Sequence, residues 1–98
     1  MIPIHIEFQD GWEGERVDVR VDDALSAELE PRTRMQSGFA EAVVVEVEPG
    51  AHVVAVEVGD ASAGGEHPLD VTAETWVGVS RTADAVTFRE QPTLFGYV

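Results

Sequence analysis

Cysteine, lysine and asparagine are absent from the 98 residues. Without cysteine there is no disulfide, no thiolate nucleophile and no Cys-based zinc site, and the redox compartment is left open. Without lysine, all positive charge rests on six arginines (Arg16, Arg20, Arg32, Arg34, Arg81, Arg89) against 19 carboxylates, a net charge of −13. That field repels phosphate backbones and anionic headgroups, which disfavours nucleic-acid and membrane partners. It is compatible with a basic protein partner, with mimicry of nucleic acid, or with solubility and high-salt adaptation alone. No apolar run approaches the ~20 residues of a membrane-spanning helix. The N-terminus lacks the basic, apolar and small-residue regions of a signal peptide, so a soluble, cytoplasmic rather than secreted chain is expected. No segment combines a 3.6-residue apolar period with a cap, so no helix is predicted.

What the chain has in quantity is valine in alternation. Residues 40–60, AEAVVVEVEPGAHVVAVEVGD, are two β-branched runs joined at Pro49-Gly50. Valine is stiff at χ1 and fits a pleated surface, and Pro-Gly marks a tight reversal. A hairpin across that turn sets Val47 opposite His52, Val45 opposite Val54 and Val43 opposite Val56, all on one dry face. Val44, Glu46, Glu48, Val53, Ala55 and Glu57 then form the other.

Elsewhere the same period recurs. Ile2, Ile4, Ile6 and Phe8 face inward on a first strand, and Pro3 marks it as an edge. Val17, Val19 and Val21 alternate with Asp18, Arg20 and Asp22, and Leu25, Ala27 and Leu29 follow with Ser26, Glu28 and Glu30 opposite. Parity across Asp22-Asp23-Ala24 pairs Val21 with Leu25, Val19 with Ala27 and Val17 with Leu29. Residues 31–38 form a polar crossing and 61–68 a Gly-Gly loop. Residues 69–81 form one long strand with Trp76 off the core parity, Thr82–Asp84 a turn, and Val86 and Phe88 the last clear strand. The tail Thr93 to Val98 is an edge strand or a flap. With 44% hydrophobic residues one core can form, and strands at this spacing predict a single all-β domain over 1–98. The expected architecture is an antiparallel β-sandwich of about seven strands, immunoglobulin-like or prealbumin-like.

VDVRVDD (Val17 to Asp23) and VEVEPGAHVVAVEV (Val45 to Val58) resemble the "V-x-V-D-G" and Pro-Gly-x-His hairpin signatures of small prealbumin-like and PEGA-type sandwich modules. Asp23 stands where those modules carry Gly. The resemblance implies a non-catalytic accessory or binding module. His5 on the first strand is similar to the early histidine of transthyretin-like hydroxyisourate hydrolases, but those end Tyr-Arg-Gly-Ser. This chain ends Phe95-Gly96-Tyr97-Val98, so that group's catalytic set is not carried over.

Three histidines, His5 (outward), His52 (inward at a rim, bonded to backbone) and His67 (in a loop), show no ligand spacing. Asp10, Glu13 and Glu15, and Asp22 and Asp23, sit in turns where Ca²⁺ can bind a sandwich, though each turn supplies too few oxygens alone. Ser26, Ser37, Ser62 and Ser80 have no triad spacing around them. Neither catalysis nor a cofactor is expected. Trp12, in a Gly-flanked acidic loop, either plugs the core or is presented to a partner such as a sugar ring. Trp76, Val44, Val53 and Ala55 are expected to form an apolar patch on one outer sheet face. Together these give Trp12, Val44, Val53 and Trp76 as the partner-binding candidates, for a homodimer or a docked protein.

Overall fold

The computed structural model describes residues 1–34, 38–59, 64–82 and 85–96. Ser37, Ser62, Asp60, the centre of the Thr82–Asp84 turn and the terminal Tyr97 and Val98 lie outside the described residues. Eight strands follow one another: β1 (Ile2–Phe8), β2 (Val17–Val21), β3 (Ala24–Leu29), β4 (Glu41–Val47), β5 (Gly50–Val58), β6 (Gly64–Val71), β7 (Thr75–Arg81) and β8 (Val86–Gln91). They form two four-stranded sheets, β4-β1-β7-β8 and β3-β2-β5-β6. Neighbours are antiparallel except β1 and β7, which run parallel. The chain is the expected β-sandwich. No described helix is long and apolar enough to cross a membrane.

Period-2 alternation directs one face of every strand inward. Ile4, Ile6 and Phe8 of β1, Val77 and Val79 of β7, Val17 and Val19 of β2, and Val54 and Val56 of β5 are all 0% exposed, which places the middle of the core between these central strands. Burying each such side chain stabilises the fold by roughly 1.5–3 kcal/mol before entropy is counted.

The pairing around Pro49-Gly50 differs from the hairpin. β4 pairs with β1, setting Val47 against Ile2, Val45 against Ile4 and Val43 against Ile6. β5 pairs with β2, setting Val54 against Val21 and Val56 against Val19. The chain arches from one sheet to the other instead of folding back within one. Hairpin and arch give the same inward parity, so the odd valines before the turn and the even ones after it still share the interior. Val47, Val54, Val56 and Val58 are buried, and Val45 packs on the core.

Three smaller differences have local causes. Asp22 and Asp23 both take positive φ, 52° and 69°, which makes a two-residue turn of the type that matches strand twist. Val17 and Val19 meet Leu29 and Ala27 as expected, but a register shift then sets Arg20 against Leu25 and Val21 against Ala24. Leu25 is thereby turned out, 48% exposed. The 69–81 strand is broken by the bend at residues 72–74, and β6 begins at Gly64, so His67 lies in a strand rather than a loop. β1 is not the edge strand that Pro3 suggests, because it lies between β4 and β7; the proline is accommodated one residue before the β7 pairing begins at Ile4.

Trp12 belongs to the core. It is 2% exposed, its indole N–H donates to the Val79 carbonyl at 3.0 Å, and its ring meets Phe8 edge-on at 5.1 Å. Thr33 fixes the loop by accepting from the Trp12 amide at 2.9 Å and donating to the Gln9 carbonyl at 2.6 Å. Gly11 permits this entry: its φ is +87°, and an added Cβ would stand 1.9 Å from the Arg81 carbonyl oxygen. Left-handed φ and backbone overlap both oppose a side chain there. Gly11→Ala is expected to cost at least about 2 kcal/mol, measured as a lowered urea midpoint at unchanged slope.

Candidate functional site

The outer face of β4-β1-β7-β8 holds a second, smaller apolar layer. Its central row is set by strand register: Val44 opposite His5, His5 opposite Trp76, Trp76 opposite Gln91. Val44 is 55% exposed and Trp76 only 8%. The Trp76 ring is covered on one side by His5, stacked at 4.5 Å with 6° between the planes. His5 is held in turn by Glu74, Nε2–H donating to the carboxylate at 2.5 Å. After β8 the chain turns back, with the Gln91 amide donating to the Thr93 and Leu94 carbonyls at 2.8 and 2.9 Å. Phe95 is thereby buried, with the Arg89 guanidinium 4.9 Å above its ring. The described part of the tail, residues 93–96, is thus a flap over the outer face rather than over the core. Among the described residues, Trp76 and Phe95 are the buried aromatic side chains that fall outside the core cluster.

Two features of this layer are chemically unusual. Among the described residues the buried Trp76 indole N–H has no hydrogen-bond partner, a state that costs about 1–3 kcal/mol against a satisfied one. Glu7 and Gln9 are also buried on this face. The Gln9 amide lies where a Gly78 Cβ would be, 2.5 Å from its Oε1.

The expected patch is split by the arch. Val44 and Trp76 share the outer face just described, whereas Val53 and Ala55 lie on the outer face of β3-β2-β5-β6, on the other side of the molecule. Val53 there lines a shallow cleft with Ala51, Pro68, Asp22 and Asp70. Trp12, as a core residue, is withdrawn from any surface role. His5, Glu74 and Phe95 join the surface instead. His5 and Trp76 both break the core parity, and that shared departure was the signal in the sequence that they meet.

The central rows of the two outer faces differ in charge. Across β3, β2 and β5, Glu28, Asp18 and Glu57 stand directly opposite one another in a single row. Like charges so placed repel, and two arginines offset them: Arg16 reaches Glu28 at 2.8 Å and Asp18 at 3.6 Å, and Arg20 reaches Glu57 at 2.7 Å. The row Val44–His5–Trp76–Gln91 carries no carboxylate. In the turns, burial alone would raise the Glu15 carboxyl, but its own and the Glu13 backbone N–H and the Arg81 guanidinium hold it below its ordinary value. Among the described residues no group of three or more His, Asp and Glu side chains is placed to hold a metal ion.

His52 clamps one end of the sandwich. Nδ1 meets an Asp22 carboxylate oxygen at 2.5 Å and Nε2 the Glu48 carbonyl at 2.6 Å. Both partners only accept, so both ring nitrogens must carry hydrogen, which is the imidazolium form. The Asp22 bond first, then the Glu48 carbonyl, raises the His52 pKa above its ordinary 6.5. The His52 bond first, then the Val53 amide, lowers Asp22 below 3.8. A raised histidine contributes stability fully below its unfolded value and loses it as pH rises through the folded one. A lowered aspartate contributes above its unfolded value and loses it as pH falls through the folded one. The clasp is therefore complete between those two unfolded values.

His52 is expected to titrate above 6.5, read from its Cε1–H chemical shift, and His52→Gln should flatten the fall in melting temperature between about pH 6 and pH 8. A ring titrating at or below 6.5 refutes the clasp. The two tryptophans should also separate. Trp12→Phe loses a hydrogen bond and core volume, roughly 2–3 kcal/mol, whereas Trp76→Phe removes an unsatisfied donor and should stay within about 1 kcal/mol of the parent in urea melts.

Comparison of the chain with protein-family models, with curated proteins and with solved structures finds no match in any of the three. The chemistry of the outer face is therefore read from its own residues.

Proposed function

We propose that the chain is a non-catalytic protein-interaction module whose working surface is the outer face of β4-β1-β7-β8. One observation carries this reading. Trp76 and Phe95 are buried outside the core, Trp76 in one row with exposed Val44, and the Trp76 indole N–H has no partner among the described residues. Folding alone does not call for an aromatic layer on the wet side of a sheet, and Val44, left exposed beside that layer, offers an apolar contact of the kind found at association surfaces. The net charge of −13 supports a protein partner over nucleic acid or a membrane. The packing of two four-stranded sheets is compatible with the prealbumin-like and PEGA-type resemblance, which implies the same kind of module.

A photoreactive residue introduced at position 44 tests the surface against the same residue at position 53 on the opposite sheet. Protein adducts from 44 and not from 53 are expected in the native extract. Equal labelling from both positions, or none from 44, overturns the reading.

A further inference from the structure

The four sheet edges are not equally protected. β6 and β8 lie side by side, and His67 closes them by bonding Glu90 at 3.1 Å and stacking on Phe88 at 5.4 Å. Pro68 lies on β6, where it removes a backbone donor from that edge. β4, Glu41–Val47, is less defended: it carries no proline and no basic residue, its charges are Glu41 and Glu46 towards its two ends, and Val43, Val44 and Val45 stand at its centre. Proteins usually blunt an edge with lysine, proline or a bulge, because an open row of N–H and C=O groups templates another strand.

Which groups are open follows from the ladder. The Gln9 N–H donates to the Val79 carbonyl at 2.8 Å, so odd residues of β1 direct their main chain at β7. Even residues, Ile2, Ile4, Ile6 and Phe8, then face β4, and their partners are Val47, Val45, Val43 and Glu41. Alternation leaves the N–H and C=O of Ala42, Val44 and Glu46 aimed away from the sheet. All three residues are exposed, and among the described residues no strand pairs on that side.

We propose that a second copy of the chain adds its own β4 to this edge, antiparallel, with a two-fold axis at Val44. Val44 then meets Val44 of the second copy, Ala42 meets Glu46, Val43 meets Val45 and Glu41 meets Val47. This register overlaps the whole strand and sets no carboxylate against another. Each of the Val44–Val44 and Ala42–Glu46 pairs exchanges two backbone hydrogen bonds. The interface is isologous, and it makes one eight-stranded sheet. The row Trp76–His5–Val44 continues through the axis into its counterpart. Two chains of −13 repel at a distance, whereas the contact is centred on Val43, Val44 and Val45 and sets no carboxylate directly against another, so added salt strengthens this association rather than weakening it. The inference shares Val44 with the proposed surface and rests on that reading for the partner class only.

Sedimentation equilibrium of the full chain, from about 1 to 500 µM, is expected to show a monomer–dimer equilibrium that tightens at least about threefold between roughly 0.1 and 1 M NaCl. Val44→Pro removes an outward N–H that β1 does not use, and Val44→Lys sets like charges on the axis; both are expected to be monomeric with cooperative melting retained. Hydrogen exchange on the unaltered chain supplies a readout free of folding defects: the Ala42, Val44 and Glu46 amides should slow with protein concentration. A monomer throughout at high salt, a dimer that survives both variants, or exchange at these amides independent of concentration overturns the pairing. Adducts from position 44 to other proteins, with no self-adduct, would overturn it too while leaving the interaction surface standing.

Discussion

Everything in this sandwich depends on how the chain gets past Pro49-Gly50. Val45 and Val47 must lie on one wall of the interior and Val54, Val56 and Val58 on the other, because burial of β-branched side chains is what opposes the entropy of ordering the strands. An arch achieves this by giving β4 to β1 and β5 to β2. Each half of the valine stretch thereby acquires a partner from the first 21 residues, and the crossing at Pro49-Gly50 is one of four connections that tie the two sheets. The same crossing decides where function can sit, since it sends Val44 and Val53 to opposite outer faces.

The crossing also explains the clasp beside it. A connection that changes sheets leaves main-chain groups at its corner that neither ladder satisfies. The Glu48 carbonyl is one such group, and His52, four residues on, donates to it while holding Asp22 of the β2–β3 turn. The Asp22 carboxylate is fully used, its second oxygen accepting from the Val53 amide at 2.8 Å. The turn acid and the rim histidine, each unremarkable alone in the sequence, thus secure the end of the molecule at which the strands change sheet.

Alternation was legible because it is local. Period 2 is imposed by the pleat within each strand, so the inward sets of β1, β2, β4, β5 and β8 could be named residue by residue. Partner choice was not legible, because Pro-Gly serves hairpin and arch alike and the parity is identical in both. Leu25 was misplaced by a single register shift that no side-chain pattern announces. Trp12 faces the core because its indole bonds a carbonyl 67 positions away, a contact invisible to any local window. Gly-Gly and Pro around His67 read as a loop, but an edge strand tolerates proline where its N–H would point outward. Of the surface candidates, Val44 and Trp76 hold together because both sit off the core parity on one sheet; Val53 shares the parity but not the sheet.

What separates the two outer faces is the use each makes of polar groups. On β3-β2-β5 the carboxylates Glu28, Asp18 and Glu57 crowd one row, and Arg16 and Arg20 are spent holding them together. That face remains hydrated and charged, as solubility requires. On β4-β1-β7-β8 the sequence places Trp, His and a returning Phe where a wet sheet would carry threonine or glutamate, and it leaves one indole N–H without an acceptor. Phenylalanine at position 76 would fill much of the same space without a donor to strand. A side chain kept at some cost to folding points to a requirement other than folding, and the large flat ring beside His5 meets it by giving Val44 and the β4 edge a rigid backing. Rigidity at that edge matters because strand addition gains only a few hydrogen bonds, and a frayed edge would lose more in ordering than those bonds return.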